Sequence, residues 1–463
     1  MYFRLNDNIS LRSWWLLPYA YYVKGYRNAR LLKKDEFEFL RLCDSLNDLS
    51  PERAAPLVEC GFIFPCACGE APFKEGQYLN CENRYFPALC WMLTGKCNYN
   101  CLHCFNAVDN APLQSEFGFD AAQRLMDDAR TAGINAFTIT GGEPMLHPRF
   151  YEIVEGIARR GMYVEELNTN GFFINEDALK RLRDAGCRPL VKISFDGVGF
   201  HDKMRGWQGA EKRTLDAIRL CIKNGLKVKV QTNVHRGNAG SIKQTLELME
   251  GLGVSETRLI RTSESPRWLK NGAGLTLDIT EYYDLMLDAL KEYMQKPRTM
   301  AVDAWQFVRI EPKNKALSIH GIRCPGDSYK PDIPVCAGNR GMVSVAADGQ
   351  VYPCLQLSGE YQALGISLGS VHAAGLIPLL QSGDYLNEVL TPVSAVRKEN
   401  AECGFCEFFK WCCGGCRALA MGFSGDKLGA DLSKCVFFKQ KYYDKILSAL
   451  PGLANLTPMH ADT

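Results

Sequence analysis

The feature that most constrains this chain is its cysteine content, because 20 of the 463 residues are cysteines and many recur at short spacings. Three of them form a C-x3-C-x2-C run at Cys97, Cys101 and Cys104. A second series extends from Cys336 to Cys435. In a reducing compartment, closely spaced cysteines act more often as metal ligands or catalytic groups than as disulfides. The sequence therefore predicts a fold that is held partly by metal–sulfur bonds.

The sequence shows no targeting segment, no membrane-spanning stretch and no large excess of charge, and this limits the compartment and the partners. The first residues show no basic segment followed by an apolar run and a small-residue cleavage site, so we expect a cytoplasmic protein. The longest apolar stretches, at residues 14–22 and 301–308, fall short of the roughly 20 residues that a membrane-spanning helix needs. Lys and Arg total 54 against 52 Asp and Glu. This balance gives no electrostatic reason to expect a nucleic acid or a membrane as partner.

The fold class expected is α/β, with a partial (β/α)6 barrel between an N-terminal and a C-terminal domain. We expect domains at residues 1–85, 86–310 and 311–463. From about residue 88, apolar strand candidates alternate with amphipathic helix candidates, as in repeated βα units around a parallel sheet. The six strands are predicted at 88–94, 135–140, 163–168, 189–195, 227–233 and 257–261. The helices between them are predicted at 119–132, 149–160, 175–185, 211–224 and 241–252, and a final helix near 436–449.

The run from Cys97 to Cys104 directly follows the first predicted strand, where a barrel of this kind places its chemistry. An iron–sulfur cube held by four cysteines is coordinatively closed. Three cysteines leave one iron open, so a small molecule can bind there. The alternatives are a zinc site that lacks its fourth ligand and a chance run in a cysteine-rich chain.

These cysteines resemble the cluster motif of the radical S-adenosylmethionine (SAM) superfamily. The resemblance continues in the GGEP run that begins at Gly141, which in the family contacts the amino group of SAM, and in the polar ends of the later strands. It implies a [4Fe–4S] cluster on Cys97, Cys101 and Cys104, with SAM on the open iron. The residues that it assigns to SAM are His103, Gly141, Gly142, Glu143, Pro144, Asn170, Ser194, Asp196, Arg205, Gln231 and Leu259. His103 departs from the family pattern, in which an aromatic residue is common at that position.

The C-terminal cysteines resemble the twin-cluster domain, often called SPASM, of radical SAM enzymes that modify peptides and proteins. The matching order is Cys336, Gly349 and Cys354, then a long gap and five further cysteines. By this resemblance, the distal auxiliary cluster is ligated by Cys403, Cys406, Cys412 and Cys435, and the nearer one by Cys336, Cys354, Cys416 and Cys324. The resemblance thus implies three [4Fe–4S] clusters in all.

Two alternatives remain open for this C-terminal series. The gap between Cys324 and Cys336 is longer than the template leads one to expect, so the nearer cluster could instead keep an iron open to substrate. A pair of zinc ribbons, which use similar C-x2-C knuckles, is the other alternative. Among the remaining cysteines, Cys413 is expected to be a spare thiol. A further metal site is an alternative to ordinary buried thiols at Cys60, Cys66, Cys68 and Cys81.

The N-terminal residues, 1–85, show strand-like runs at 2–5 and 20–23 and helix-like periods at 34–47 and 51–60. This pattern predicts a winged-helix-like domain, similar to the peptide-recognition domains of many maturases of ribosomally made peptides. Such domains capture a leader peptide as an added strand at an exposed sheet edge. The alternative is a small helical cap on the barrel with no ligand.

The function that the resemblance implies is a peptide maturase. One electron from an external flavodoxin-type or ferredoxin-type donor would allow SAM to be split, and the 5′-deoxyadenosyl radical would abstract hydrogen from a precursor peptide that carries a leader. A thioether or carbon–carbon crosslink is the expected product. The alternatives are formylglycine formation in a sulfatase, peptide epimerisation and a non-catalytic Fe–S or zinc scaffold. The formylglycine enzymes have an acid after the cysteine that here is Cys354, whereas this chain has Leu355.

Overall fold

The structure is a computed structural model that describes residues 1–104, 115–336 and 341–459. Its N-terminal unit contains the strands β1 (Tyr2–Leu5), β2 (Ile9–Ser13), β3 (Ala20–Val23), β4 (Arg30–Leu31), β5 (Ile63–Cys66) and β6 (Tyr78–Asn80), with the helices α1 (Lys34–Leu40) and α2 (Pro51–Glu59). Strand β1 pairs antiparallel with β5, and the other strands form a sheet in the order β4-β3-β2-β6. The unit has a hydrophobic core of its own, which includes Leu11, Phe37, Leu40 and Ile63.

The predicted strands at 2–5 and 20–23 and both predicted helices are present in this unit. Helix α2 begins where expected because the Ser50 hydroxyl accepts a hydrogen bond from the Arg53 amide and Pro51 occupies the first turn. Helix α1 ends at Leu40 instead of residue 47, since the chain then turns back and Asp44 forms a β-bridge with Arg4. The sequence did not predict β2, β4, β5 or β6, and the winged-helix class stays a prediction.

The barrel consists of strands that alternate with helices, as predicted. The strands are β7 (Ala88–Met92), β8 (Ala136–Thr140), β9 (Tyr163–Thr169), β10 (Leu190–Ser194), β11 (Val228–Val234) and β12 (Glu256–Arg261). The helices are α3 (Phe119–Thr131), α4 (Phe150–Arg159), α5 (Glu176–Asp184), α6 (His201–Arg205), α7 (Ala210–Lys223) and α8 (Ile242–Leu252). Each strand pairs in parallel with the next. The predicted partial barrel is therefore confirmed, with strand ends within two residues of those expected.

The sheet extends beyond the six predicted strands. After α9 (Pro266–Asn271) and α10 (Ile279–Tyr293), β13 (Ala301–Ala304) adds in parallel to β12. Strands β14 (Val308–Glu311) and β15 (Ala316–Ile319) follow as antiparallel neighbours. The predicted boundary at residue 310 thus falls inside β14, so the barrel sheet continues into the segment that was assigned to the C-terminal domain.

The C-terminal segment returns to the other edge of the same sheet. Its strand β16 (Met342–Val345) pairs in parallel with β7, and β17 (Val351–Tyr352) pairs with β16 across a turn in which Gly349 has a φ of +80°. The later elements are α11 (Ser358–Ala363), α12 (Val371–Ala374), α13 (Leu376–Gln381), α14 (Gly383–Val389), α15 (Val393–Glu399), α16 (Ala401–Gly404), α17 (Phe409–Cys412), α18 (Arg417–Ser424), α19 (Leu432–Lys439), α20 (Tyr442–Ala449) and β18 (Ala454–Asn455). The final helix that the sequence predicted is thus two helices.

The barrel strands separate an apolar face from a polar one. Val191 and Ile193 of β10 join the hydrophobic core under the helices, so Lys192 and Ser194 face the barrel interior. The N-terminal unit is fixed to the outside of the barrel, where the Trp14 indole donates to the Ala132 carbonyl at 3.0 Å. Within the described residues, we find no helix whose length and apolar character would let it cross a membrane.

Candidate active site

The loop with Cys97, Cys101 and Cys104 is held on one side by the GGEP run that follows β8. The Gly142 amide donates to the Thr94 carbonyl at 2.7 Å, and the Glu143 amide donates to the Lys96 carbonyl at 2.8 Å. A Cβ on Gly141 would lie 2.5 Å from the Thr94 carbonyl oxygen, and one on Gly142 would meet the backbone of Lys96. The two glycines are therefore needed for the close approach of this loop to the cysteine loop.

The segment that ends α6 holds the loop on the other side. The Asn100 amide donates to the Arg205 carbonyl at 3.2 Å, and the Leu102 amide donates to the Met204 carbonyl at 2.9 Å. Gly206 has a φ of +63°, and a Cβ there would lie 2.6 Å from the Asn100 carbonyl oxygen. Two sets of main-chain hydrogen bonds thus fix the loop before any ligand binds.

Glu143 is fully buried and its carboxylate binds main-chain and side-chain donors of the protein. It accepts hydrogen bonds from the Thr169 hydroxyl at 2.9 Å, the Asn170 amide at 2.8 Å and the Met145 amide at 3.2 Å. Burial raises the pKa of Glu143 to about 7, against the effect of these donors. Its side chain therefore joins the end of β8 to the end of β9 and acts on the site through Asn170.

Asp196 and Arg205 form a buried ion pair at the end of β10. The Arg205 Nε lies 2.8 Å from Asp196 Oδ2, and the Arg205 Nη1 donates to the Cys101 thiol at 3.6 Å. Burial alone would raise the pKa of Asp196, but the Arg205 guanidinium and the His201 ring hold it well below its usual range. Asp196 is therefore an anion that orients the guanidinium beside the cysteine loop.

The ends of the third and fifth barrel strands contact the cysteine loop, the third through Asn170 and the fifth through the loop residue His103. The Asn170 side-chain amide donates to Asn98 Oδ1 at 2.8 Å and reaches the Cys97 thiol at 3.9 Å. The His103 Nε2 lies 2.9 Å from the Asn233 side-chain amide. Burial lowers the pKa of His103 to about 4, so its ring is neutral near pH 7. With Nε2 as acceptor, Nδ1 carries the proton.

The polar atoms left over around this loop fit a polar ligand such as SAM. Within the described residues, several buried atoms here have no hydrogen-bond partner: Asn98 Nδ2, Tyr99 Oη, His103 Nδ1, Arg205 Nη2 and His235 Nε2. Native proteins leave few buried polar groups unpaired, so such a concentration indicates a ligand. A carboxylate, an amine and two ribose hydroxyls are groups that these atoms can bind.

Three of the predicted SAM contacts lie further from this network. Ser194 and Gln231 face the barrel interior from paired positions on β10 and β11. Leu259 does not fit the prediction, because its side chain is fully buried in the hydrophobic core between the sheet and the helices. Its carbonyl is also bound, since it accepts a hydrogen bond from the Tyr282 hydroxyl at 2.7 Å. Successive side chains of a strand face opposite sides, so Arg258 and Ile260 face the interior instead.

The sequence did not reveal an aromatic cluster that packs against the cysteine loop. Tyr99 stacks on Trp207 with ring centroids 5.6 Å apart, and Phe172 meets both rings edge-on. The Tyr99 amide donates to the Cys97 thiol at 3.4 Å. These rings come from three separate segments, so no local spacing could have indicated them.

The barrel interior below the loop carries a belt of ion pairs. Their closest distances are 2.9 Å for Lys192–Glu166, 2.6 Å for Arg258–Asp303 and 3.0 Å for Arg309–Glu256, and Lys229 also contacts Glu256. Most of these side chains retain some exposure, whereas Asp303 and Lys229 are buried. The interior is therefore a charged chamber and not an apolar one.

The C-terminal cysteines fall into two groups, and within each group the thiols raise one another's pKa. Burial raises the pKa of Cys412 to about 12, and the thiols of Cys403, Cys406 and Cys435 act in the same direction. Burial likewise raises the pKa of Cys354 to about 12, and the thiols of Cys416 and Cys336 add to the effect. These groups correspond to the distal four and to three of the four nearer ligands that the sequence predicted.

The nearer group lies near the first strand of the barrel, because Cys354 follows β17 and β17 joins β7 through β16. Burial raises the pKa of Cys90, on β7, to about 12. The Lys192 charge lowers this pKa, whereas the Cys354 thiol raises it. Within the described ranges, no three Cys, His, Asp or Glu side chains converge closely enough to hold a single metal ion. A single ion needs all its ligands on one atom, whereas each cysteine of a cube binds a different iron.

Two predictions about the other cysteines have a structural answer. The Cys324 sulfur lies 3.3 Å from the Cys413 sulfur, so the contact found for this predicted eighth ligand is with the predicted spare thiol. Cys81 is buried beside Trp14 and Tyr22 in a small core of its own. Among the described residues, Cys60, Cys66, Cys68 and Cys81 do not converge closely enough to hold a single metal ion.

The fold and this site define a class of protein. Residues 91–249 match the family model of the Radical SAM superfamily, a stretch that runs from β7 into α8 and includes the cysteine loop. The predicted radical SAM domain is thereby confirmed for this stretch of the barrel. Membership of this superfamily implies a [4Fe–4S] cluster and SAM as cofactors.

Two curated relatives and one solved structure are similar to this chain over most of its length. The chain is 27% identical over 343 residues to the AdoMet-dependent heme synthase of Methanosarcina barkeri. The aligned residues are 73% of this chain and 93% of that protein. It is 25% identical over 381 residues to the PqqA peptide cyclase of Gluconobacter oxydans, with 79% and 94% covered. The crystal structure of Streptococcus suis SuiB bound to precursor peptide SuiA superposes with a TM-score of 0.64 at 13% identity, and covers 94% of this chain and 99% of SuiB.

Proposed function

We propose that this protein is a radical SAM maturase that abstracts hydrogen from a ribosomally made precursor peptide and closes a thioether or carbon–carbon crosslink within it. The observation that carries the proposal is the extent of the fold shared with SuiB, which includes nearly the whole of both chains. SuiB was solved with its precursor peptide, and the PqqA peptide cyclase is a further relative with a peptide substrate.

The N-terminal unit supports a peptide substrate. It has its own core, and it exposes several large apolar side chains to solvent: Trp15, Leu16, Tyr26, Leu31, Leu42, Leu46 and Phe64. Contiguous exposed apolar surface marks sites of protein interaction, and these side chains are the candidates for such a surface. Strand β4, with Leu31, is also an edge strand of its sheet, so it offers main-chain groups to which an extended leader could add.

The residues of the cysteine loop have separate tasks in this proposal. Cys97, Cys101 and Cys104 would hold the cluster, and the unpaired Nη2 of Arg205 would bind the carboxylate of SAM. When bound, the cluster and SAM supply one-electron cleavage and hydrogen abstraction from unactivated carbon. Asp196 keeps the guanidinium in place, and Glu143 fixes Asn170 beside Cys97. The neutral His103 ring adds a donor at Nδ1 without adding charge.

The two C-terminal cysteine groups would hold two auxiliary [4Fe–4S] clusters, three in the whole protein. Cys403, Cys406, Cys412 and Cys435 would ligate the distal cluster, and Cys336, Cys354 and Cys416 the nearer one. Cys354 of the nearer group acts on Cys90 of β7, the strand that leads into the cysteine loop. Such clusters can accept the electron that remains when a substrate radical closes a bond. An external flavodoxin-type or ferredoxin-type donor would reduce the cluster of the cysteine loop.

The experiment is to incubate the anaerobically reconstituted chain with SAM, dithionite and a candidate precursor, any short peptide encoded beside its gene, and to measure the mass of the peptide. We expect deoxyadenosine and a peptide that has lost two hydrogens. Cys406→Ala should form deoxyadenosine but no crosslinked peptide, since the distal cluster would be lost. An unchanged peptide mass in the presence of deoxyadenosine would refute crosslinking, and chiral analysis of its residues would then identify an epimerase.

A second candidate function is the modification of a heme precursor. It is favoured by the 27% identity to an AdoMet-dependent heme synthase and by the cationic side chains of the chamber, Lys192, Lys229, Arg258 and Arg309. Incubation with an iron porphyrin that carries propionate groups separates the candidates. Turnover of the porphyrin, with no change in the peptide, would replace the maturase proposal by this one.

A further inference from the structure

Cys324 and Cys413 form a buried thiol pair that is separate from the distal and the nearer cysteine groups described above. Their sulfur atoms are 3.3 Å apart, and the side chains are 4% and 0% exposed, respectively. The residues are 89 positions apart in the chain. Cys324 follows β15, whereas Cys413 directly follows α17 and is next to the distal ligand Cys412. The pair therefore joins the barrel sheet to the loop of the distal cysteine group.

The backbone on both sides of the pair is already fixed. The amides of Arg323 and Cys324 both donate to the Trp411 carbonyl, at 2.7 and 3.2 Å. The Cys413 amide donates to the Phe409 carbonyl at 2.8 Å. Cys413 has a φ of +52°, a conformation that glycine or asparagine adopts with less strain. The turn itself thus does not call for a cysteine, and the thiol contact is what the side chain adds.

We propose that Cys324 and Cys413 are a redox-active dithiol that peroxide converts to a disulfide. The sulfur of Cys324, the more accessible of the two, attacks hydrogen peroxide, the O–O bond breaks, and a sulfenic acid and one water form. The sulfur of Cys413 then attacks the sulfenic sulfur and displaces the second water. Two thiols and one peroxide thus give one disulfide and two waters. The sulfurs are already in contact, as formation of the bond requires.

The pair has a consequence for the nearer auxiliary site, which rests on the proposed function. If Cys324 belongs to a dithiol, the nearer cluster has only Cys336, Cys354 and Cys416 as cysteine ligands. The disulfide would also tie the distal loop to the barrel sheet when oxidation removes iron. The loop would then keep its fold, so iron could be restored after reduction.

The experiment treats the reconstituted full-length chain with hydrogen peroxide, alkylates it after denaturation and analyses the peptides by mass spectrometry. We expect a linked Cys324–Cys413 peptide that has lost two hydrogens, while the lone buried thiols Cys187 and Cys221 are recovered alkylated. The variants Cys324→Ser and Cys413→Ser should lose the linked peptide and should keep the iron content and cluster signals of the wild type.

Three results separate the possibilities. If peroxide removes the iron but yields no linked peptide, the dithiol is refuted. A loss of about four irons in Cys324→Ser but none in Cys413→Ser would show that Cys324 is a cluster ligand, which also overturns the proposal. If the wild type binds no more than one cluster but the linked peptide forms, the auxiliary clusters of the proposed function fail and the dithiol stands.

Discussion

Glu143 shows how a single residue couples the site to pH. Its carboxyl is fully buried, and burial raises its pKa from 4.5 to about 7. Between those values the folded chain binds a proton that the unfolded chain releases, so the free energy of unfolding should fall as pH rises through this window. The loss attributable to this residue is on the order of 3 kcal/mol. Glu143→Gln, which resembles the protonated acid, should remove that part of the pH dependence.

The measurement is urea unfolding of both proteins under anaerobic conditions at pH 5 and at pH 8. The difference in unfolding free energy between the variant and the wild type should change between the two pH values. Glu155→Gln, at an exposed ion pair with Arg159, is the matched control and should keep the wild-type dependence. Parallel pH profiles for Glu143→Gln and the wild type would contradict the proposed proton uptake.

At this scale the sequence predicted the cluster cysteines but not the contacts around them. The spacing of Cys97, Cys101 and Cys104 is local, so it could be read directly. The contact between His103 and Asn233 joins positions 130 apart, and no spacing indicates it. Leu259 failed for a different reason, because a strand of five or six residues with few clear alternations does not reveal which side faces the interior.

Among the elements, the end of β10 is held by one buried charge. The Asp196 carboxylate joins β10 to α6 through Arg205 and to β11 through the Asn233 amide, at 3.1 Å. Asp196→Asn would leave the buried guanidinium without its counter-ion, a change that costs about 3–5 kcal/mol. We expect a loss of unfolding free energy of that size, together with weaker SAM binding as measured by calorimetry.

The control for this variant is Asp216→Asn. Asp216 also pairs with cations, Lys212 at 3.0 Å and Arg219 at 3.1 Å, but on an exposed helix face where such pairs contribute about 1 kcal/mol or less. Equal, small losses for both variants would show that the Asp196–Arg205 pair does not hold the element in place.

Elements defined by local pattern were predicted well, and elements defined by distant pairing were not. The barrel strands and helices each contain enough alternation or helical period to be recognised. Strands β4, β17 and β18 have two residues each, too few for any period. Strand β16 pairs with β7 across some 250 residues, so its place in the sheet depends on tertiary contacts alone.

At the scale of the whole molecule, we propose that the N-terminal unit binds the precursor peptide and that the barrel cleaves SAM. Leu31→Glu places a charge at the exposed edge strand, where Leu31 is 67% exposed. We expect precursor binding, measured by fluorescence anisotropy, to weaken by about tenfold or more, because burying a charge against an apolar partner is costly. SAM cleavage without peptide should not change.

Leu364→Glu is the matched control, since Leu364 is similarly exposed, at 58%, but belongs to the C-terminal segment. It should leave precursor affinity at the wild-type value. The same loss of affinity in both variants, or no loss in Leu31→Glu, would contradict the assignment of leader binding to this edge.

The central claim is that the cysteine loop holds a cluster with one iron free for SAM. Electron paramagnetic resonance of the anaerobically reconstituted, reduced chain tests it most directly, with spectra recorded before and after SAM is added. We expect a cubane signal that shifts when SAM is added and that disappears in the Cys97→Ala, Cys101→Ala, Cys104→Ala triple variant. A reduced protein whose cubane signals do not change when SAM is added would refute the presence of an open iron in the cysteine loop.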